Sequence, residues 1–189
     1  MTTSRKALVL CAMLLIASHA SSASDSNFSE VFEEDSFPAS SHGLIWSAQN
    51  NATHFGQMYY PATTQGTATP IDNTSGPYPL LIWIGADGEA NDQYDWLGMH
   101  LAKAGYITIV LPPDWNSADT QNQCLSILYL WYRLEFNHNN GSFQGDPENM
   151  RDAFDLHHWG IGGHGLGAKQ AAQCQLILSG AWSEFVSLP

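Results

Sequence analysis

The chain is short of positive charge, short of cysteine and almost free of long apolar runs. Six Lys and Arg stand against 18 Asp and Glu in 189 residues, a formal net charge of −12. A surface of that sign repels phosphate backbones and anionic bilayers, so nucleic acid is excluded as a natural partner. The acidity bears on solubility more than on any substrate. Three cysteines in the whole sequence are too few for a small fold built on disulfides. The one long apolar run, "ALVLCAMLLIA" (Ala7 to Ala17), is too short to span a bilayer.

Position explains that run. Arg5 and Lys6 precede it, and "SHASSAS" follows with small residues suited to cleavage after Ala20 or Ala23. Residues 1–23 therefore read as a secretory signal peptide, and the mature protein is expected to be secreted (extracytoplasmic), with no membrane span. Cys11 leaves with the leader. Cys124 and Cys174 remain, and export permits a disulfide between them as readily as two separate core thiols. Asn27, Asn51, Asn73 and Asn140 each begin an N-x-S/T sequon. These are surface glycan sites in a host that glycosylates and chance triplets otherwise. Residues 24–41, "SDSNFSEVFEEDSFPASS", are Ser-rich and acidic and read as a disordered N-terminal tail. No repeat or linker divides residues 42–189.

Within that domain, "GLIWSA" and "THFGQMYYP" predict antiparallel strands, and "ATTQGTATPIDNTSG" predicts a loop. "LLIWIG" (80–85) and "YITIVLPP" (106–113) are continuous apolar runs, the pattern of strands buried on both faces. Between them "DQYDWLGMHLAKAG" predicts a helix with Trp96, Leu97, Leu101 and Ala104 on its inner side. "TQNQCLSILYLWYRLEF" predicts a second helix, packed through Cys124, Leu128, Trp131 and Leu134. A third strand falls within "LHHWGI", a third helix over about 167–178, and a last short strand in "EFVSLP". Alternation of strand and helix predicts an open, mostly parallel α/β sheet. Ligands in such sheets sit at the carboxyl ends of the strands.

One stretch at such an end carries the chemistry in question: "HHWGIGGHGLGAKQAA", His157 to Ala172. As a dinucleotide cradle it would use Gly160, Gly162 and Gly165, with an acid ending the next strand. Glu184 instead starts that strand, which disfavours the reading. As a nucleophile elbow, G-x-S-x-G, it has Gly163 and Gly167 in place around Gly165. The serine is missing, and glycine has no oxygen to attack a carbonyl.

Taken with "YPLLIWIGADGEANDQYDWLGMHLAKAGYITIVLPPDWN", this elbow resembles the α/β-hydrolase superfamily. The nearest branch is the bacterial cutinase/polyester hydrolases and the chlorophyllase-like (dienelactone hydrolase-like) esterases. The points of likeness are "YP" before the strand, the glycine turn after it, "W-L-G-x-x-L-A-x-x-G-Y", and the spacing to the elbow. The resemblance implies an α/β-hydrolase-type sheet flanked by helices, cut short after about the sixth strand. It puts Gly165 at the nucleophile position and gives Leu166 and Asp87 as backbone positions of the oxyanion hole. Trp96 and His164 are the side chains expected at a binding pocket. A carboxylate at or near Asp87 opposes negative charge developing there, and the family's acid and histidine belong to later strands.

Other candidates carry less. Ser179 and Ser183 sit on no elbow. His157 and His158 alternate on a strand, so at most one joins His164, and no metal site is expected. Trp83, Trp96, Trp131 and Trp159 fall in core segments, and Asp92 and Asp95 complement a helix dipole. The sequence therefore predicts an exported protein of esterase or lipase-like ancestry, degenerate in catalysis or a truncated copy, with no cofactor. Its expected ligand is an ester or lipid-like small molecule. The alternatives are a live ester hydrolase with further sequence, a non-catalytic binder and, last, a dinucleotide-binding oxidoreductase.

Overall fold

Two of the apolar runs lie side by side in a six-stranded sheet, covered on both faces. The computed structural model describes residues 37–47, 53–112, 120–143 and 145–176, all in the compact unit Ser36–Pro189. The elements are β1 (Ala39–Ser47), β2 (Thr53–Pro61), β3 (Gly66–Thr67), β4 (Tyr78–Ile84), α1 (Asp95–Lys103), β5 (Ile107–Leu111), α2 (Thr120–Asn140), β6 (Phe154–Gly163) and α3 (Leu166–Leu176). A 3-10 turn, Asn91–Tyr94, leads into α1. The strand order is β3-β1-β2-β5-β4-β6. β4 runs parallel to β5 and β6, while β2 runs antiparallel to β1 and β5. The expected mostly parallel α/β sheet is present. The signal peptide, most of the tail, Ser179, Ser183, Glu184 and "EFVSLP" lie outside the described residues.

Alternation along the strands sorts the core into two faces. Met58, Tyr60, Leu80, Ile82, Ile84, Ile107, Ile109 and Leu111 pack against Cys124, Ile127, Leu130 and Leu134 of α2 and Ala171 and Cys174 of α3. Tyr59, Trp83 and Val110 point the other way, toward Tyr94, Met99 and Ala102. Each fully buried isoleucine or leucine contributes about 1.5–3 kcal/mol. Cys124 and Cys174 are joined, with Cα atoms 5.1 Å apart and a sequence separation of 50. The bond ties α3 to α2 and removes chain entropy worth about 4 kcal/mol from the unfolded state.

Four local expectations change. β1 starts at Ala39, inside the stretch 24–41 read as tail, because Ala39–Ser41 pair with Pro61–Tyr59 of β2. α1 does not turn Trp96 inward. Its buried residues are Gly98 and Ala102, and Trp96 is 70% exposed. A Cβ on Gly98 would come within 2.2 Å of the Tyr59 ring, so the helix rests on that ring through its smallest residues. On α2 Cys124 and Leu134 are in the core as expected, but between them Ile127 and Leu130 are buried, with Leu128 and Trp131 only half-buried.

The fourth change concerns the paired histidines. β6 meets β4 at Asp155↔Pro79 and again at Trp159↔Leu80, so Leu156, His157 and His158 bulge from the ladder. The Asp155 carboxylate closes the bulge by accepting from the His157 and His158 N–H groups (3.1 and 3.2 Å) and pairing with His158 Nδ1 at 2.6 Å. Both histidines are exposed instead of alternating across the sheet. Burial works to raise the Asp155 pKa, but these bonds outweigh it and hold the carboxyl below its ordinary value.

Between α2 and β6, loop 141–153 is fastened by Asp146. Its buried carboxylate accepts from Arg133 Nη2 at 2.5 Å and from Asn137 Nδ2 at 2.8 Å. Arg133 also donates to the Ile45 carbonyl of β1, and His42 Nε2 lies 4.0 Å from Asp146.

Candidate active site

β4 and β6 are neighbours, so the turns that leave their carboxyl ends meet. The register pairs Trp83 with Gly162 and Ile84 with Gly163. Past Gly163 the chain turns sharply into α3, with the His164 N–H donating to the Ile84 carbonyl (3.0 Å) and the Gly167 N–H to the His164 carbonyl (2.9 Å). The two flanking glycines are demanded by packing. A Cβ on Gly163 would lie 2.5 Å from the Gly167 carbonyl carbon and 2.7 Å from the Ile84 oxygen. A Cβ on Gly167 would lie 2.3 Å from the carbonyl oxygens of both Ile84 and Gly85. Real side chains do not fit at such distances, so only glycine lets strand, turn and helix close on β4.

Gly165 differs from both. It has φ +58°, the left-handed region where side chains cost about 1–2 kcal/mol. Yet its Cβ direction is open, with Ala86 Cβ at an ordinary 3.4 Å. The chain thus makes a sharp strand–turn–helix turn, the shape expected from the sequence, around a residue that has no side-chain atom to react. Leu166 opens α3, where the first backbone N–H lacks an intrahelical acceptor. On the β4 side, the residue facing Gly165 is Ala86. Asp87, the position that the resemblance implies, is exposed one residue further along the turn.

The Ala86 N–H is already engaged. It donates to the Tyr94 hydroxyl at 2.7 Å, and that hydroxyl lies 3.2 Å from His164 Nδ1. With the imidazole neutral and its hydrogen on Nε2, Tyr94 gives its one proton to Nδ1 and accepts from Ala86. Tyr94 thus bridges the two turns and takes up the β4-side donor. Trp83 lies against it, ring centroids 6.3 Å apart, so the aromatics at this end are Trp83 and Tyr94. Trp96, expected at the pocket, stands exposed on α1. Next to the turn, Tyr59 donates its hydroxyl to Asp95 Oδ1. Burial first, then that bond and the carboxylates of Asp95 and Asp92, push the Tyr59 phenol well above its ordinary pKa.

The sequence analysis placed Gly165, Leu166 and His164 at the elbow, and the structure brings all three to the end of β4. It missed Tyr94. The signal available was a tyrosine, an aromatic ring with a polar tip, opening the segment after a glycine turn. Among the described residues no group of three His, Cys, Asp or Glu side chains is gathered as for a metal. No helix among them is long and apolar enough to cross a membrane.

These features define a mostly parallel α/β fold with glycine-built turns at the carboxyl ends of β4 and β6. No protein-family model matches the chain, and no curated protein matches it. Among solved structures it is similar to a ferulic acid esterase from Streptomyces cinnamoneus, with TM-score 0.55 and 13% identity. The match covers 74% of this chain and 55% of the esterase, so it spans about half that enzyme's length. At that identity the likeness is one of fold.

Proposed function

We propose that this is an exported protein of ester-hydrolase ancestry, on the cutinase and chlorophyllase-like side, that no longer hydrolyses esters through its elbow. Gly165 carries the proposal: the elbow keeps its shape, and its nucleophile position has nothing to deprotonate and nothing to acylate. The Tyr94 hydroxyl on the Ala86 N–H supports it further, since a donor facing the nucleophile position is occupied within the chain itself. What the site retains is binding of a small ester or lipid-like molecule beside Trp83 and Tyr94. The signal-like residues 1–23 support export.

The test uses methyl ferulate and p-nitrophenyl butyrate with the purified protein. The expected result is no turnover above buffer, with saturable quenching of tryptophan fluorescence by at least one of the two esters. Turnover would overturn degeneracy and favour a live hydrolase working through another nucleophile. Absence of any saturable signal would remove the binding role.

A further inference from the structure

The aromatic side chains of α2 that face solvent form a stripe, and a sequon ends it. Tyr132 and Phe136 are each 51% exposed, and Asn140 follows at the same four-residue spacing, so the three share one helix face. Across the turn, Phe143 is 55% exposed and lies under the Arg133 guanidinium, 5.6 Å from ring centroid to Cζ. Two exposed rings on one helix face, with a third on the adjoining turn, leave apolar surface to be covered. Helical side chains lean toward the N-terminus, and Asn140 does so: its Nδ2 donates to the Phe136 carbonyl at 2.9 Å. An amide nitrogen carries two hydrogens, so one remains for substitution while the bond to Phe136 persists. Gly141, at φ +92°, then turns the chain off the helix.

We propose that Asn140 carries an N-linked glycan whose first sugar lies along Phe136, covering the stripe with the apolar C–H face of the sugar ring. The donor is a lipid-phosphate-linked oligosaccharide of the host. Asn140 Nδ2 forms a bond to sugar C1 and loses one proton to solvent, while the C1–O bond breaks and the lipid phosphate leaves with its electron pair. Transfer precedes folding, since Ser142 of the sequon is afterwards held by its hydroxyl on the Pro147 carbonyl. The proposal rests on the export reading. Asn73 also starts a sequon and is exposed, but its neighbours Asp72 and Thr74 are hydrogen-bonded to each other and offer no aromatic cover. Asn73 therefore serves as the comparison.

The experiment is peptide mass spectrometry on the protein purified from outside the cells of its own host. The Asn140 peptide is expected to be heavier than its polypeptide mass by a sugar chain. Ser142→Ala removes the added mass and Ser142→Thr retains it, a contrast that a merely structural serine would not give. Asn140→Gln removes it as well. With the glycan in place, enzymatic deglycosylation lowers the Tm of the wild type more than that of Phe136→Ala. An unmodified Asn140 peptide in exported protein overturns the proposal and leaves export standing. Protein held inside the cell with residues 1–23 attached overturns both, and the N-terminal peptide in the same spectrum separates the two outcomes.

Discussion

The two ends of β6 are built on different principles. At its carboxyl end the ladder with β4 is regular from Trp159 to Gly163, and the turn beyond is fixed by backbone against backbone, through glycines. At its amino end the ladder breaks into a bulge, and order comes from carboxylates: Asp155 closing on His157 and His158, and Asp146 holding loop 141–153 to α2 and β1. The elbow keeps its shape for reasons that have nothing to do with chemistry. Gly163 and Gly167 answer to packing, while Gly165 answers only to its left-handed backbone, with no crowding around its Cβ direction. The turn can therefore keep its geometry whatever stands at position 165, because no neighbouring atom depends on a side chain there.

That contrast can be broken or sharpened by substitution. Gly167→Ala should destabilise by about 3 kcal/mol or more, since its Cβ meets two carbonyl oxygens that cannot both withdraw. Gly163→Ala should behave alike, and the urea midpoint of each variant checks both. At the far end, Asp146→Ala should cost about 2–3 kcal/mol in the same urea experiment. Arg133 and Asn137 lose their shared acceptor, and the partial exposure of Arg133 holds the loss below that of a fully buried pair. Gly165→Ser should cost only about 1–2 kcal/mol, the left-handed backbone being its sole penalty. A cost near that of Gly167→Ala would show that packing, too, demands glycine at 165.

The smallest expected effect is one of pH. Burial, opposed by Asp146 and reinforced by Arg133, lowers the His42 pKa below 6.5. Between the folded value and 6.5 the unfolded chain binds the extra proton, so stability rises with pH there and is lost as pH falls from 6.5. His42→Gln should flatten that slope, as read from Tm measured between pH 5 and 7.

How much was legible follows from the same division. The buried strands were readable because runs such as "LLIWIG" have no polar face to offer. The elbow was readable because glycines at 163 and 167 admit few other uses. The inner face of α1 was not, because hydrophobic periodicity seeks large residues and this helix buries Gly98 and Ala102 against Tyr59. The bulge was hidden as well. It depends on a carboxylate reaching two and three residues ahead, and a strand pattern carries no mark of that. Tyr94 was missed for a related reason, its role being set by Ala86 and His164, eight and seventy residues away. The disulfide was left open because spacing alone does not bring Cys124 to Cys174.

In genetic terms, the glycines of this turn differ in how freely they can change. A glycine codon ending in a pyrimidine is one base from serine, and at 165 the space beside Ala86 admits a Cβ at the modest cost of the left-handed backbone. The same single-base change at 163 or 167 meets backbone atoms and should cost far more stability. Variation arising across this stretch is thus filtered unevenly, and position 165 is where a population can explore new side chains without losing the protein.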